Sequence, residues 1–101
     1  MRVEVTERPE RNRFEVFADG ELAGFARYER DGDTLSFTHT ETEPRLTGRG
    51  LATALIRAAL DEVRERGLTV LSVCSFVRDF IERNDGYADL VPAAERARFG
   101  L

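Results

Sequence analysis

The sequence predicts an α+β fold, and three observations support this prediction. Four short segments with strand-like alternation fill the first half of the chain, and Asp-Gly pairs typical of hairpin turns lie between them. From Leu51 onwards the apolar spacing changes to that of a helix. A short apolar run at Leu68–Val73 then indicates a buried strand. We therefore expect the order ββββαβα, with a helix crossing between strands.

Apolar alternation and turn residues set the bounds of an antiparallel four-stranded meander. The predicted strands are Arg2–Thr6, Phe14–Ala18, Leu22–Tyr28 and Leu35–Thr42. Asp19-Gly20 joins the second strand to the third, and Asp31-Gly32 precedes the fourth. Gly24, inside the third strand, indicates a bulge or a close approach of another backbone.

The fourth strand has a clear period of two. This period predicts one face made of Leu35, Phe37, His39 and Glu41, with the threonines on the other face. β-Branched threonines are well suited to a pleated surface.

Two helices are predicted in the second half. Helical spacing sets the inward face of the first one: Leu51, Leu55, Ile56, Ala59, Leu60 and Val63. Gly67 is placed to end that helix. A second helix is predicted at Ser75–Arg83, and a short one at Pro92–Phe99. The phenylalanines expected in the core are Phe25, Phe37, Phe76 and Phe80.

Composition narrows the classes of function. The 101 residues include 15 basic and 19 acidic ones, a net charge of −4, and this length predicts one domain over residues 1–101. Acidic residues alternate with the arginines, so nucleic-acid binding is not favoured. The apolar runs are too short for a membrane span or a signal peptide. One cysteine and one histidine exclude an internal disulfide, argue against a metal site and fit the reducing cytoplasm.

The segment Thr47–Ala52 is the most informative motif for function. Its residues, Thr-Gly-Arg-Gly-Leu-Ala, join the threonine-rich strand to the first helix. Glycines at such a junction let a ligand approach the backbone, and the first N–H groups of a helix bind phosphate. Arg49 adds a forked cationic donor. The motif lacks the Lys-Ser/Thr ending of a P-loop, and it does not open a βαβ unit as a Rossmann site does. The alternative to a phosphate-binding loop is a structural loop that only caps the helix.

The loop and the order of elements resemble the GNAT superfamily of acetyl-CoA-dependent N-acetyltransferases. The loop of that superfamily has the pattern Gln/Arg-x-x-Gly-x-Gly/Ala, which Thr47–Ala52 matches except at Thr47; a second register from Arg45 also fits. Over residues 14–91 the chain resembles, more narrowly, a short single-domain branch of the superfamily. The motifs that support this are His39-Thr40-Glu41, Gly48-Arg49-Gly50-Leu51, Cys74-Ser75-Phe76-Val77 and Tyr87-Ala88-Asp89-Leu90.

The resemblance implies that the chain binds acetyl-CoA or CoA and moves the acetyl group to an amine of a small molecule or protein. The residues then expected to hold the pyrophosphate through backbone amides are Gly48, Arg49, Gly50, Leu51 and Ala52. Because Thr47 replaces the usual Gln/Arg, Arg49 becomes the main charged contact. Thr40 and Thr42 lie on the strand edge expected to pair with the pantetheine arm, where the fourth and fifth strands splay apart.

The chain departs from the superfamily pattern in two places. Larger members carry Asn-x-x-Ala-x-x-x-Tyr after the fifth strand, where this sequence has Cys74, Val77 and Ile81. The tyrosine that protonates the leaving thiolate is therefore replaced, and Tyr87 is a candidate substitute, although its position fits docking of the C-terminal segment better. The helical pair between the first two strands is reduced to Pro9–Asn12, so we expect an acceptor pocket that is open, shallow or completed by a partner.

Three residues are catalytic candidates, each with a structural alternative. Cys74 follows the buried strand beside the expected splay, where a thiol acts as a nucleophile, shapes the pocket, or packs in the core. His39 and Glu41 can each deprotonate an amine if their face lines the acceptor cleft; otherwise His39 is structural and Glu41 is solvated. An N-acetyltransferase is the leading hypothesis. The alternatives are a protein that binds acetyl-CoA without transfer and a protein-interaction domain.

Overall fold

The fold has two layers, a sheet and the helices packed on one of its faces. The computed structural model describes residues 1–46 and 48–101. Within these ranges five strands form one sheet in the order β1-β2-β3-β4-β5, antiparallel up to β4 and parallel between β4 and β5. The strands are β1 Val3–Arg8, β2 Arg13–Ala18, β3 Glu21–Asp31, β4 Thr34–Thr42 and β5 Thr69–Ser72. The predicted α+β class and the four-stranded meander are confirmed.

The helices lie where the sequence placed them. The α-helices of the described ranges are α1 Leu51–Glu65, α2 Ser75–Arg83 and α3 Ala93–Arg96. A 3₁₀ turn at Ala97–Phe99 continues α3, and together they form the predicted C-terminal helix. None of the helices in these ranges is long and apolar enough to cross a bilayer.

The core lies between α1 and one face of the sheet, here called the inner face; the opposite face is the outer face. The buried side of α1 consists of the residues that helical spacing predicted: Leu51, Leu55, Ile56, Ala59, Leu60 and Val63. Buried side chains of the sheet complete the core, among them Phe14, Val16, Ala26, Tyr28, Leu35, Phe37 and Val70. Removing these apolar surfaces from water is the main stabilising contribution to the fold.

Two of the four phenylalanines predicted in the core lie elsewhere. Phe37 and Phe80 are buried, as expected. Phe25 lies half-buried on the outer face under the guanidinium of Arg13, 4.6 Å from the ring centroid. Phe76 is 38% exposed, because the buried side of α2 begins one residue later, at Val77. The prediction for Phe25 was wrong because it alternates with the buried Ala26 of β3, and that for Phe76 was wrong because an apolar pair at a helix start does not show which member turns inward.

A bulge in β4 reverses the predicted alternation of its side chains. Tyr28 pairs with Phe37, whereas the preceding Arg27 pairs with His39, so Thr38 is an extra residue in β4. An inserted residue moves all later side chains to the opposite face. Phe37 is therefore buried on the inner face, and His39 lies on the outer face, 6.0 Å from the Phe25 ring centroid. The predicted common face was wrong beyond Phe37.

Gly24 is the point where β3 and the end of β4 come closest. A Cβ at Gly24 would lie 2.5 Å from the Glu41 carbonyl oxygen and 2.9 Å from Cγ2 of Thr42. The predicted close approach is confirmed. The neighbouring residue, Ala23, forms a bulge: it is an extra residue of β3 with no partner in β2. The absence of a side chain at Gly24 thus sets the position of the last residues of β4.

β1 and the second hairpin turn differ from the predicted bounds. β1 continues through Glu7, whose carboxylate accepts a hydrogen bond from the Tyr28 hydroxyl at 2.6 Å and pairs with Arg66 at 2.6 Å. The first hairpin turn lies at Asp19-Gly20 as predicted, with both residues at positive φ. The second turn lies one residue later than predicted, since Asp31 still pairs with Thr34.

Replacing Gly24 by alanine is expected to lower the free energy of unfolding by about 1–3 kcal/mol, because the new Cβ needs space that the backbone of β4 occupies. Urea unfolding measures the loss. Gly32→Ala is the control, because it adds the strain of a positive φ but its Cβ meets open space. Amide resonances of Glu41 and Thr42 should shift in Gly24→Ala alone; a folded variant with unshifted resonances would contradict the close approach.

Candidate functional site

The loop before α1 presents backbone N–H groups at the surface. Gly48 and Gly50 are exposed and adopt positive φ values of 87° and 73°, and Gly50 is the N-cap of α1. A glycine N-cap brings no side-chain acceptor, so the first N–H groups of the helix stay available to a ligand. The Gly50 carbonyl accepts the first helical hydrogen bond, from Ala54 at 3.0 Å. Thr47, a predicted cofactor-binding residue, lies outside the described residues.

A groove of about 360 Å³ lies against this loop. It runs between the end of β4, the loop, the first turn of α1 and the start of α2. Its lining residues are Thr42, Leu46, Gly48, Gly50, Leu51, Ala52, Thr53 and Phe76. Five predicted cofactor-binding residues thus line one surface, and Arg49 is exposed between the two loop glycines. Phe76, expected in the core, is a wall of this groove instead.

β4 and β5 separate at Phe37. They pair in parallel from Thr34↔Thr69 to Phe37↔Ser72, and the Cys74 amide donates to the Phe37 carbonyl at 2.8 Å. The chain then turns into α2, while β4 continues to Thr42. The edge of β4 beyond this point has no strand beside it in the described part of the chain. An extended ligand can therefore add to this edge as a strand would.

The candidate thiol lies at the closed end of the opening. The Cys74 sulfur is 3.5 Å from Oγ1 of Thr40 and is partly buried. Nearby at the end of β5, the Ser72 side chain is 1% exposed, and its hydroxyl has no hydrogen-bond partner among the described residues. Buried hydroxyl groups are normally paired. The closed end of the opening therefore holds the thiol that the sequence indicated, and the last residue of β5 carries a buried hydroxyl, unpaired within the described ranges, that the sequence did not indicate.

His39 and Glu41 lie on the outer face, away from the thiol. Nε2 of His39 is 3.7 Å from Oε2 of Glu41, and both side chains are more than half exposed. Glu41 also lines a small groove of about 180 Å³ on the outer face. The other residues of that groove are Leu22, Ala23, Gly24, Phe25, Thr42, Glu43 and Pro44. The bulge thus places the two candidate bases on one side of the sheet and the glycine loop on the other.

Tyr87 docks the C-terminal segment onto α1. Its hydroxyl donates to Oδ1 of Asp61 at 2.8 Å, and its ring centroid is 5.4 Å from that of Phe80. Burial and the Asp61 carboxylate raise the pKa of Tyr87, which keeps the phenol protonated. Asp61 is ten residues beyond Leu51 in α1, which places it about 15 Å along the helix from the loop. These contacts give Tyr87 the docking role that its position favoured.

Comparison with known proteins identifies related sequences and folds. A family model described as GCN5-related N-acetyl-transferase matches residues 13–90. A GCN5-like protein from Staphylococcus aureus, solved by NMR, is 24% identical, with a TM-score of 0.67 over 87% of this chain and 86% of that one. A search of curated proteins finds no match.

Two larger enzymes also share the fold. The ribosomal-protein-S18-alanine N-acetyltransferase from Escherichia coli is 25% identical, with a TM-score of 0.54 over 57% of this chain and 38% of the enzyme. The PaiA N-acetyltransferase from Thermoplasma acidophilum, solved with coenzyme A, is 15% identical, with a TM-score of 0.55 over 74% of this chain and 55% of the enzyme. The chain thus spans about half or less of the length of these two enzymes.

Tyr87→Phe is expected to cost about 0.5–1.5 kcal/mol of stability, because Asp61 loses one hydrogen bond while the ring still packs on Phe80. Thermal or urea unfolding measures this cost. The amide resonances of Gly48 and Gly50 should respond to added CoA as they do in the unmodified chain. A lost response in a folded Tyr87→Phe protein would contradict a purely structural role.

Proposed function

The chain belongs to the GCN5-related N-acetyltransferase family, and from this premise we propose that it binds acetyl-CoA and transfers the acetyl group to a primary amine. One observation carries the proposal. The opening between β4 and β5 starts beside the glycine-loop groove on the inner side and leads towards His39 and Glu41 on the outer face. Such an opening lets a donor and an acceptor meet from opposite sides of the sheet.

The loop is suited to a pyrophosphate. Phosphate groups bind at helix N-termini, where unpaired N–H groups and the helix dipole favour negative charge. A Cβ at Gly48 or Gly50 would meet nothing within 4 Å in the described part of the chain, so this surface is open to a ligand. Exposed Arg49 supplies a cation and several N–H donors. We assign the pyrophosphate of CoA to this loop, with Arg49 as its charged contact.

The edge of β4 is suited to the pantetheine arm. That arm contains amide groups, which can pair with the open strand edge at Thr40–Thr42 as an added strand does. The Cys74 thiol, 3.5 Å from Oγ1 of Thr40, lies at the closed end of the same opening. The residues present therefore fit the cofactor along its length, from a charged loop to a partly apolar end.

The chemistry of transfer is assigned to the outer face. Acetyl-CoA supplies a thioester whose acyl carbon an amine can attack, with release of CoA. We propose that Nε2 of His39 accepts the proton that the amine loses, since a neutral imidazole carries one nitrogen that accepts a proton. The Glu41 carboxylate, 3.7 Å away, then stabilises the imidazolium. The leaving thiolate takes its proton from solvent, because Tyr87 is held by Asp61.

A second candidate function is binding of acetyl-CoA without transfer, and the position of Tyr87 favours it. The hydroxyls of both tyrosines are engaged elsewhere, because Tyr28 donates to Glu7 and Tyr87 to Asp61. For either function we propose the reducing cytoplasm as the compartment, because it keeps the Cys74 thiol reduced. Transfer to any amine by the unmodified chain would exclude the binding-only function.

Calorimetric titration with CoA and with acetyl-CoA is the direct test of the cofactor site. Gly50→Ala is expected to weaken both affinities by roughly 5- to 30-fold, because an L-residue disfavours this positive φ by about 1–2 kcal/mol and the free loop then leaves the conformation that presents its N–H groups. Gly67→Ala is the matched control. Gly67 lies beyond the other end of α1 at a φ of 68° with equally open surroundings.

Gly67→Ala should lose stability to a similar degree and keep the affinity of the unmodified chain. Equal affinities in both variants would contradict the assignment of the pyrophosphate to the loop. Failure of the unmodified chain to bind either nucleotide would refute the proposed function.

Two variants distinguish a general-base role of His39 from a covalent role of Cys74. His39→Gln is expected to lower the rate of acetyl transfer by roughly 100-fold or more, as loss of a general base does. Cys74→Ala is expected to lower it less than tenfold if the thiol only shapes the pocket. Steady-state rates with an amine panel measure both. Complete loss in Cys74→Ala with normal rates in His39→Gln would indicate a covalent route through the thiol instead.

A further inference from the structure

The outer face holds a carboxylate buried among arginines. The Glu15 side chain is 3% exposed, although it lies on the sheet face away from α1. Its Oε1 accepts from Nε of Arg8 at 3.1 Å, and its Oε2 accepts from Nε of Arg13 at 2.7 Å and from Nη1 of Arg11 at 3.4 Å. The three guanidinium groups cover the carboxylate, which fixes their positions on β1, β2 and the turn between them.

These arginines carry more charge than the carboxylate can neutralise. Burial by itself would raise the pKa of Glu15, yet hydrogen bonds and charge from the arginines hold it below its ordinary value, so Glu15 is ionised at neutral pH. Three cations around Glu15 leave an excess of about two positive charges, which Glu10, the other acid that lines this groove, reduces to about one. The side chains of Arg8 and Arg11 are 43% and 61% exposed. Their remaining N–H donors therefore face solvent.

The arginine cluster opens onto a groove that leads towards the proposed acceptor site. A groove of about 380 Å³ is lined by Arg8, Glu10, Arg11, Glu15, Phe17 and Leu22. Leu22 also lines the smaller groove that contains Glu41. Glu41 pairs with Phe25, and Phe25 with Glu15, so the backbones of Glu41 and Glu15 are two strand spacings apart, about 10 Å, and Arg8 and Arg11 contact the Glu15 carboxylate. Between the two glutamates lies the Phe25 ring, with the guanidinium groups of Arg13 and Arg27 over it at 4.6 and 5.8 Å, and Leu22 lines both grooves beside it.

We infer that the acceptor is an amine that carries an anionic group about 10 Å from its nitrogen, with the amine at Glu41 and the anion on Arg8 and Arg11. This inference rests on the proposed function and names the class of its second substrate. A guanidinium pair binds a carboxylate or a phosphate through charge-assisted hydrogen bonds. The amine end meets the acidic side chains of Glu41 and Glu43. A tripeptide with a free carboxylate has this length, since three extended residues span about 10 Å.

The test compares two probes that differ in one charge. The tripeptide Gly-Leu-Gly with a free carboxylate and the same peptide as a C-terminal amide are titrated into the protein, with and without saturating CoA. The carboxylate form is expected to bind roughly tenfold more tightly, as a charge-assisted hydrogen bond predicts. Arg11→Gln should remove most of this difference, because Arg11 is the most exposed of the three and its loss leaves Glu15 paired with Arg8 and Arg13. Equal binding of both probes by the unmodified chain would overturn the inference.

Arg98→Gln is the charge-matched control, because Arg98 pairs with Glu95 in the C-terminal segment, remote from the sheet. It should keep the preference for the carboxylate, and a preference that persists in a folded Arg11→Gln protein would also overturn the inference. Thermal unfolding shows that each variant is folded. The CoA titration of the same samples tests the proposed function separately from the acceptor class. If the protein binds CoA but does not distinguish the two peptides, the proposed function stands and only the inferred acceptor class is refuted.

Discussion

The path of β4 determines which face of the sheet carries the candidate bases and where a strand edge stays open to the cofactor. Its extra residue, Thr38, sends His39 and Glu41 to the outer face, and its contact with Gly24 holds the strand end against β3. β5 is too short to follow β4 beyond Phe37, so the edge of β4 is left open. A regular β4 paired along its length would close that edge and bury the candidate bases beneath α1.

Most of the proposed cofactor site is backbone. The glycine loop and the first turn of α1 offer N–H groups, and the open edge of β4 offers the hydrogen-bonding groups of a strand. Side chains contribute a wall at Phe76, a cation at Arg49 and the thiol of Cys74. A site of this kind tolerates much change in sequence, provided that the strand order and the loop geometry are kept.

The sequence predicted those structural features that depend on residues close together in the chain. The inward side of α1, the Asp19-Gly20 turn and the close approach at Gly24 were all predictable, because each leaves a signature within a few residues. The bulge at Thr38 left none, since a perfectly alternating strand gives no sign that its partner will skip a residue. Glu15 was missed for a related reason: its burial comes from three arginines that meet only in the folded sheet.

In the described part of the chain the outer face of the sheet carries the short 3₁₀ turn Pro9–Arg11 and no α-helix, whereas α1 covers the inner face. The groove at the glycine loop and the grooves at Glu15 and Glu41 are therefore reached from different directions. A molecule in one groove leaves the entrance of the other free. Access alone then imposes no order of addition on two substrates, and a complex that holds both at once can form by either sequence of binding.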